Sequence, residues 1–229
     1  MTSRSKQRVI ADRLGIKAEA AEWCTLDKIP APPADVLQAA GSPRLRPGRM
    51  PLLEMLGTVL ISPFILIGWL LTPLGGAHEA VMRALSTSKR ERERSQEKHA
   101  DAKQRETLII ERGLDRVFDG NWQGAAGQFL LRWYTHSTCD ARLVVITQDG
   151  IVLAAPPVRA VTDREKRMQV VTRLTPEEAS LVDPFPYEYE TRMLLLSFRD
   201  GTWLRIEAGD THSDLHKYLL RQPAPDTGN

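Results

Sequence analysis

The chain has few of the features by which a sequence reveals its chemistry. Its 229 residues include two cysteines, Cys24 and Cys139, which excludes a disulfide-dense secreted scaffold and a four-cysteine zinc site. Its 31 basic and 29 acidic side chains nearly cancel, so charge gives no reason to expect a nucleic-acid binder. The sequence has no nucleophile elbow, Walker loop or dinucleotide fingerprint. We therefore predict no enzyme activity, no catalytic or cofactor-binding residues, no cofactor and no small-molecule substrate.

Histidine and cysteine spacing gives two weak metal signals. His212 and His216 are four residues apart, and His136 precedes Cys139 by three positions. A zinc site needs further ligands and an enclosing pocket, and neither pair has a second pair near it in the sequence. We therefore interpret both pairs as surface residues and predict no metal ligands.

Charge is also missing from one long stretch. Residues 55–77 read MLGTVLISPFILIGWLLTPLGGA, without Asp, Glu, Lys or Arg. A helix of this length extends about 35 Å, and the hydrocarbon core of a bilayer is about 30 Å thick. We therefore predict a membrane segment over 51–76. The side chains predicted to be embedded are Met55, Leu56, Val59, Leu60, Ile61, Phe64, Ile65, Leu66, Ile67, Trp69, Leu70, Leu71 and Leu74.

Two prolines leave the course of this segment open. Pro73 helps to end a helix, whereas Pro63 either kinks a spanning helix or forms the apex of a re-entrant hairpin. Basic residues lie on both sides, and counting them favours a cytoplasmic C-terminal side by a small margin. A re-entrant hairpin would place both flanks inside the cell. The third alternative is a segment buried within a soluble protein.

The segment's two flanks differ in character. Residues 1–50 form a basic segment in which a short helix is predicted around 6–24, and a proline-rich linker follows. Residues 77–120 are rich in helix formers, with opposite charges three or four positions apart, which predicts a charged helical stalk. We expect anionic lipid headgroups to contact the cations nearest the apolar stretch on its N-terminal side, Arg44, Arg46 and Arg49.

Residues 121–221 have the pattern of an antiparallel β-domain, and residues 222–229 that of a disordered tail. Asp149-Gly150 and Asp200-Gly201 each join two apolar runs and predict tight hairpins. The predicted strands are 127–134, 141–147, 151–156, 168–174, 192–198 and 202–208. A last helix follows; its predicted caps are Asp210 and Thr211, and its apolar face holds Leu215, Tyr218 and Leu219.

This order of elements is similar to that of the bacterial pleckstrin-homology-like (PH-like) domains. The stretches that carry the resemblance are ARLVVITQDGIVLAA and RMLLLSFRDGTWLRIEAGDTHSDLHKYLL, and it covers residues 121–221. The resemblance implies a small antiparallel half-barrel closed by a C-terminal helix, and a binding or scaffolding role. The basic loop of lipid-binding relatives has no counterpart in residues 135–141, so phosphoinositide binding is not carried over.

The sequence thus predicts an α+β protein made of a membrane-associated helix, a long charged helix and a small PH-like domain. The expected function is binding or scaffolding at the inner face of the bacterial plasma membrane, with the C-terminal domain in the cytoplasm. The expected partners are membrane lipid and another protein, with no nucleic acid. The alternative is a soluble structural or assembly protein whose apolar segment is a buried subunit interface.

Overall fold

The structure, a computed structural model, describes residues 6–46, 48–49, 102–160, 162–185 and 191–222. Four helices, α1 to α4, are Lys6–Arg13, Ala34–Ala39, Ala125–Trp133 and Asp214–Leu219. Seven strands, β1 to β7, are Ala20–Thr25, Ala141–Thr147, Gly150–Ala155, Gln169–Leu174, Ala179–Val182, Met193–Phe198 and Trp203–Ala208. A 3₁₀ turn covers Arg164–Arg167, and residues 102–111 are also helical.

All seven strands belong to one antiparallel open sheet in the order β4-β3-β2-β1-β7-β6-β5. The expected α+β class, with a largely antiparallel set of strands and a C-terminal helix, is confirmed at this level. Among the described residues, no helix combines the length and the apolar character needed to cross a bilayer.

The two predicted hairpins are present. The β2–β3 pair runs from Leu143↔Ala154 to Thr147↔Gly150, and Gly150 has a φ of 124°. A Cβ atom at this glycine would lie 2.1 Å from the carbonyl oxygen of Leu174, so the turn needs glycine for both conformation and space. The β6–β7 turn likewise has Gly201 at a φ of 82°.

Strand β1 corrects the prediction of a helix around 6–24. Helix α1 ends at Arg13, and Ala20–Thr25 is the central strand, paired with β2 along its length and with β7 at Cys24 and Thr25. Both faces of β1 are covered, and Ala20, Ala21 and Cys24 are fully buried. A strand buried on both sides has no polar alternation, so its pattern did not distinguish it from a helix.

Helix α3 corrects the prediction of a strand at 127–134. Ala126, Leu130 and Trp133, spaced four and three residues apart, are all buried on the inner face of the sheet. Gly127 lets the helix approach the preceding loop, because a Cβ there would lie 2.5 Å from the carbonyl oxygen of Asn121. Although these residues have β propensity, their spacing places the apolar ones on one buried face of a helix, and the segment is helical.

The sheet has a core on each face. The inner core packs β-strand residues such as Leu153, Leu196 and Leu204 against α3 and α4. The outer core packs the opposite face of β2 and β3 against α1, through Ile10 and Ala11.

In α4 the predicted apolar face is confirmed, with Leu215 buried. The cap is Ser213 rather than Asp210 or Thr211, because the Ser213 hydroxyl accepts a hydrogen bond from the His216 N–H at 3.3 Å.

The described residues fall into two compact units, one drawn from Met1–Arg49 and Gly113–Asn229 and the other from Met50–Arg112. The predicted membrane segment at 51–76 and the stalk up to residue 101 lie outside the described residues. So does nearly all of the predicted tail at 222–229. These assignments stay predictions.

Candidate binding surfaces

The three arginines predicted to contact headgroups lie together on one groove. Arg44, Arg46 and Arg49 are exposed, and none of them has a hydrogen bond or ion pair to another described residue through its side chain. The groove measures about 1450 Å³. We call it the basic groove; its lining is formed by residues 26–32, Leu37, residues 43–46, Gly48, Arg49, Tyr134, Thr138 and Asp140.

A backbone contact fixes the position of this stretch. The Gly48 N–H donates to the Thr138 carbonyl oxygen at 2.8 Å. A Cβ atom at residue 48 would lie 2.6 Å from the Thr138 hydroxyl oxygen, so a larger residue would push the chain away. Gly48 and its described neighbours are therefore held against the connection between α3 and β2.

The carboxylates that line the basic groove do not neutralise its cations. Of its two carboxylates, Asp27 accepts a 2.6 Å hydrogen bond from the buried Arg205, and Asp140 lies 3.9 Å from Arg159. The four cations, Lys28 and the three arginines, are all exposed. The groove thus offers an anion several solvated positive charges and no deep enclosed site.

The thirteen side chains predicted to be embedded in a membrane, from Met55 to Leu74, all lie outside the described residues.

A second cavity lies between α3, β4 and the β6–β7 turn. It measures about 750 Å³ and is half open to solvent. We call it the α3–β4 cleft; its lining is Ala125, Phe129, Arg132, Trp133, His136, Arg142, Leu153, residues 171–174, Glu177, Glu178 and residues 198–200. Sequence reasoning did not predict this site, since its α3 wall was taken for a strand.

Arg142 on β2 is fully buried at one wall of this cleft. Its guanidinium donates hydrogen bonds to the carbonyl oxygens of Trp133, Ser137, Cys139 and Ala141. It also lies 4.6 Å from the centroid of the Trp133 ring. Burial lowers the pKa of Arg142 to about 10, so it remains a cation at neutral pH, bound by carbonyl dipoles rather than by a carboxylate.

Asp200 joins the β6–β7 turn to the start of α3. Its carboxylate accepts the Ala125 N–H at 2.7 Å, the Thr202 N–H at 3.0 Å and the Thr202 hydroxyl at 2.6 Å. The Ala125 amide, followed by the Thr202 hydroxyl, lowers the pKa of Asp200. Gly124 gives α3 no side-chain cap, so residues of another element accept the free N–H groups of the first turn: Asp200 accepts that of Ala125, and the Thr202 hydroxyl accepts that of Ala126 at 3.0 Å.

Replacing Asp200 with asparagine is expected to lower the thermal unfolding temperature by a few degrees at pH 7. Because the folded-state pKa lies below the ordinary value of 3.8, the carboxylate stabilises the fold above that pH. Its contribution is lost as the pH falls through the folded-state pKa, so the difference between D200N and the wild type should shrink in acid.

Thermal unfolding of the full-length protein across a pH series, followed by circular dichroism, measures this. Asp149→Asn, in the other Asp-Gly turn, is the matched control and should leave the unfolding temperature unchanged at every pH. A difference between D200N and the wild type that stays constant down to strongly acidic pH would contradict the assignment.

The histidine pairs are not brought together as metal sites. His212 is exposed, whereas His216 is buried with its Nδ1 2.7 Å from the Ser213 hydroxyl, which corrects its interpretation as a surface residue. Cys139 is also buried, which corrects its interpretation as a surface residue, whereas His136 is exposed. Across the described ranges, no three His, Cys, Asp or Glu side chains are grouped to hold a metal ion.

The thiol of the other cysteine, Cys24, is unreactive. Burial, with a smaller contribution from Glu22, raises the pKa of the Cys24 thiol. It therefore stays protonated at physiological pH and behaves as a small apolar side chain in the centre of the sheet.

Comparison of the chain with family models, with curated proteins and with solved structures finds no match in any of the three.

Proposed function

We propose that this chain is a membrane-tethered binding or scaffolding protein that presents a PH-like domain at the cytoplasmic face of the bacterial plasma membrane. The observation that carries the proposal is the stretch 55–77, which has no charged side chain over a length sufficient for a bilayer. A soluble helix of this length normally has a polar face, and the polar side chains here are Thr58, Ser62 and Thr72.

The basic groove supports a membrane contact next to this stretch. Arg49 precedes Met55 by six residues, and Arg44 and Arg46 lie on the same groove. Each exposed cation near an anionic leaflet contributes about 1 kcal/mol of attraction. A groove with several unpaired cations is suited to attract headgroup phosphates over its whole surface rather than at one enclosed site.

The sheet supports one particular course for the apolar stretch. β1 precedes the stretch in sequence and β2 follows it, and the two strands pair from Ala20↔Ile146 to Thr25↔Ala141. Paired strands lie on the same side of a membrane, and the charged residues 77–112 are unsuited to crossing it. The stretch would therefore enter and leave by one face, as in the re-entrant alternative, with both basic flanks in the cytoplasm.

The PH-like part of the proposal draws on the sheet. Seven antiparallel strands followed by a C-terminal helix agree with what the resemblance implied for residues 121–221. One of those strands, β1, comes from outside that range, so the proposed domain is completed by residues 20–25. A domain of this kind suggests binding of a protein partner rather than catalysis.

Membrane fractionation of the full-length protein tests the tether. We expect the protein expressed in bacteria to stay with the membrane pellet after an alkaline carbonate wash and to float with lipid vesicles in a density gradient. Release of the whole protein into the soluble fraction as a defined oligomer would overturn the tether and favour the alternative, an assembly protein with an apolar interface.

A further inference from the structure

We propose that the α3–β4 cleft binds a small amphiphilic anion: a molecule with an apolar body and one carboxylate or sulfonate group. The proposal does not depend on the membrane tether, because it concerns residues on the folded unit alone.

The cleft has the size and the apolar surface of a small-molecule site. Its volume of about 750 Å³ lies within the range of roughly 300–1,000 Å³ that ligand pockets occupy. Its apolar lining includes Leu153, Leu174 and Phe198, with the half-buried Phe129 between Phe198 and Trp133 at ring-centroid distances of 5.5 and 5.9 Å. These aromatic rings, inclined to one another by 73° and 51°, offer an apolar contact surface to the body of a ligand.

Three arginines from three different elements line the same cleft. Arg132 on α3, Arg173 on β4 and Arg199 in the β6–β7 turn are exposed, and none of them has a carboxylate partner among the described residues. An exposed arginine presents a planar fork of N–H donors that matches carboxylate, sulfonate or phosphate oxygens.

The carboxylates of the cleft are mostly occupied. Asp200 accepts the Ala125 N–H, and Glu178 accepts the Thr175 N–H at 2.8 Å. That leaves Glu177 as the one lining carboxylate without a hydrogen bond in the described part of the chain. These hydrogen bonds leave the carboxylates charged, but among the described residues none of them forms an ion pair with the three arginines, whose guanidinium groups stay open to an external anion.

The cleft wall also contains donors that lack acceptors. Trp133 is 2% exposed and Arg142 0%, and within the described ranges the indole Nε1 of the former and the Nε of the latter have no hydrogen-bond partner. A buried donor without an acceptor costs about 1–3 kcal/mol, so native structures rarely keep one. Both nitrogens lie below the accessible surface, so an anion in the cleft would be held by the exposed arginines rather than by these two donors.

The probe for this site is 8-anilinonaphthalene-1-sulfonate, whose rings and single sulfonate match the two halves of the cleft. Fluorescence titration of the full-length protein is expected to show a saturable site. The variant Arg173→Gln/Arg199→Gln should raise the Kd at least tenfold. The matched variant Arg116→Gln/Arg221→Gln, which removes two exposed arginines outside the cleft, should leave the Kd unchanged.

Competition tests the sign of the charge. Decanoate should displace the probe, whereas decyltrimethylammonium, with the same chain and the opposite charge, should not. Equal displacement by both, or equal effects of the two arginine pairs with thermal unfolding unchanged, would show adsorption to apolar surface and overturn the proposal. A probe that does not bind the folded wild type would overturn it as well.

Discussion

Methionine in place of Arg142 is expected to lower the free energy of unfolding by about 3 kcal/mol or more, one of the two largest effects predicted here. The guanidinium bonds four carbonyl oxygens, three of them, those of Trp133, Ser137 and Cys139, in or next to the irregular connection from α3 to β2. Hydrogen bonds from a charged donor contribute about 1.5–3 kcal/mol each, and methionine supplies none.

Desolvation of the buried Arg142 cation acts in the other direction and reduces the loss in the free energy of unfolding. Burial lowers the pKa of Arg142 from 12.5 to about 10, which corresponds to about 3 kcal/mol against the charged form. Removing the cation recovers that amount, but four hydrogen bonds together contribute more, so the net effect is destabilising.

Chemical unfolding of the full-length protein, followed by near-ultraviolet circular dichroism, measures the difference. Arg142→Lys keeps the charge and part of the hydrogen bonding and should lie between the wild type and R142M. Arg173→Met, on the exposed edge strand β4, is the control for loss of an arginine and should change stability little. An R142M protein as stable as the wild type would show that the carbonyls find other donors.

Arg142 also shows where sequence reasoning stops. In ARLVVIT the arginine is the one charged side chain of the strand, and the β2 strand itself was predicted correctly. Every residue of β2 from Ala141 to Ile146 is buried, since both faces of the strand are covered. The end of α3, which belongs to a different element, covers this arginine. The spacing of residues within the strand therefore could not reveal its burial.

The elements that the sequence did predict are those with local signals. The Asp-Gly turns at 149–150 and 200–201 specify tight hairpins whatever surrounds them, and β2, β3, β6 and β7 followed within one or two residues. Thr175 to Glu178 has the capping-box pattern that is typical of a helix start, and the Glu178 carboxylate does accept the Thr175 N–H at 2.8 Å, but strand β5 follows it rather than a helix.

The errors arose where tertiary contacts override local preference. β1 is separated from β2 by more than a hundred residues, and its short side chains at 20, 21 and 24 fit a helix as well as a doubly covered strand. Of the candidate sites, the arginines before the apolar stretch were predictable from charge alone. The α3–β4 cleft was not, because it exists only once α3 is a helix packed beside β4.

The second large effect concerns the two flanks of the apolar stretch. If the protein is tethered and β1 pairs with β2 in the membrane-bound state, residues before and after the stretch must be reachable from one side only. We expect single cysteines at Arg44→Cys and Ile110→Cys, both exposed positions, to react with a membrane-impermeant maleimide in inside-out vesicles. Neither should react in intact spheroplasts, giving an all-or-none difference between the two preparations.

The chain provides its own controls for this labelling. Cys24 and Cys139 are 0% and 2% exposed, so the native thiols should contribute little background. A cysteine at Leu60, within the apolar stretch, should be protected in both preparations. Labelling of the two flanks from opposite sides would mean that the stretch spans the bilayer, and it would then be impossible for β1 to pair with β2 in the same molecule. One measurement thus tests both the membrane topology and the pairing of the central strand of the sheet.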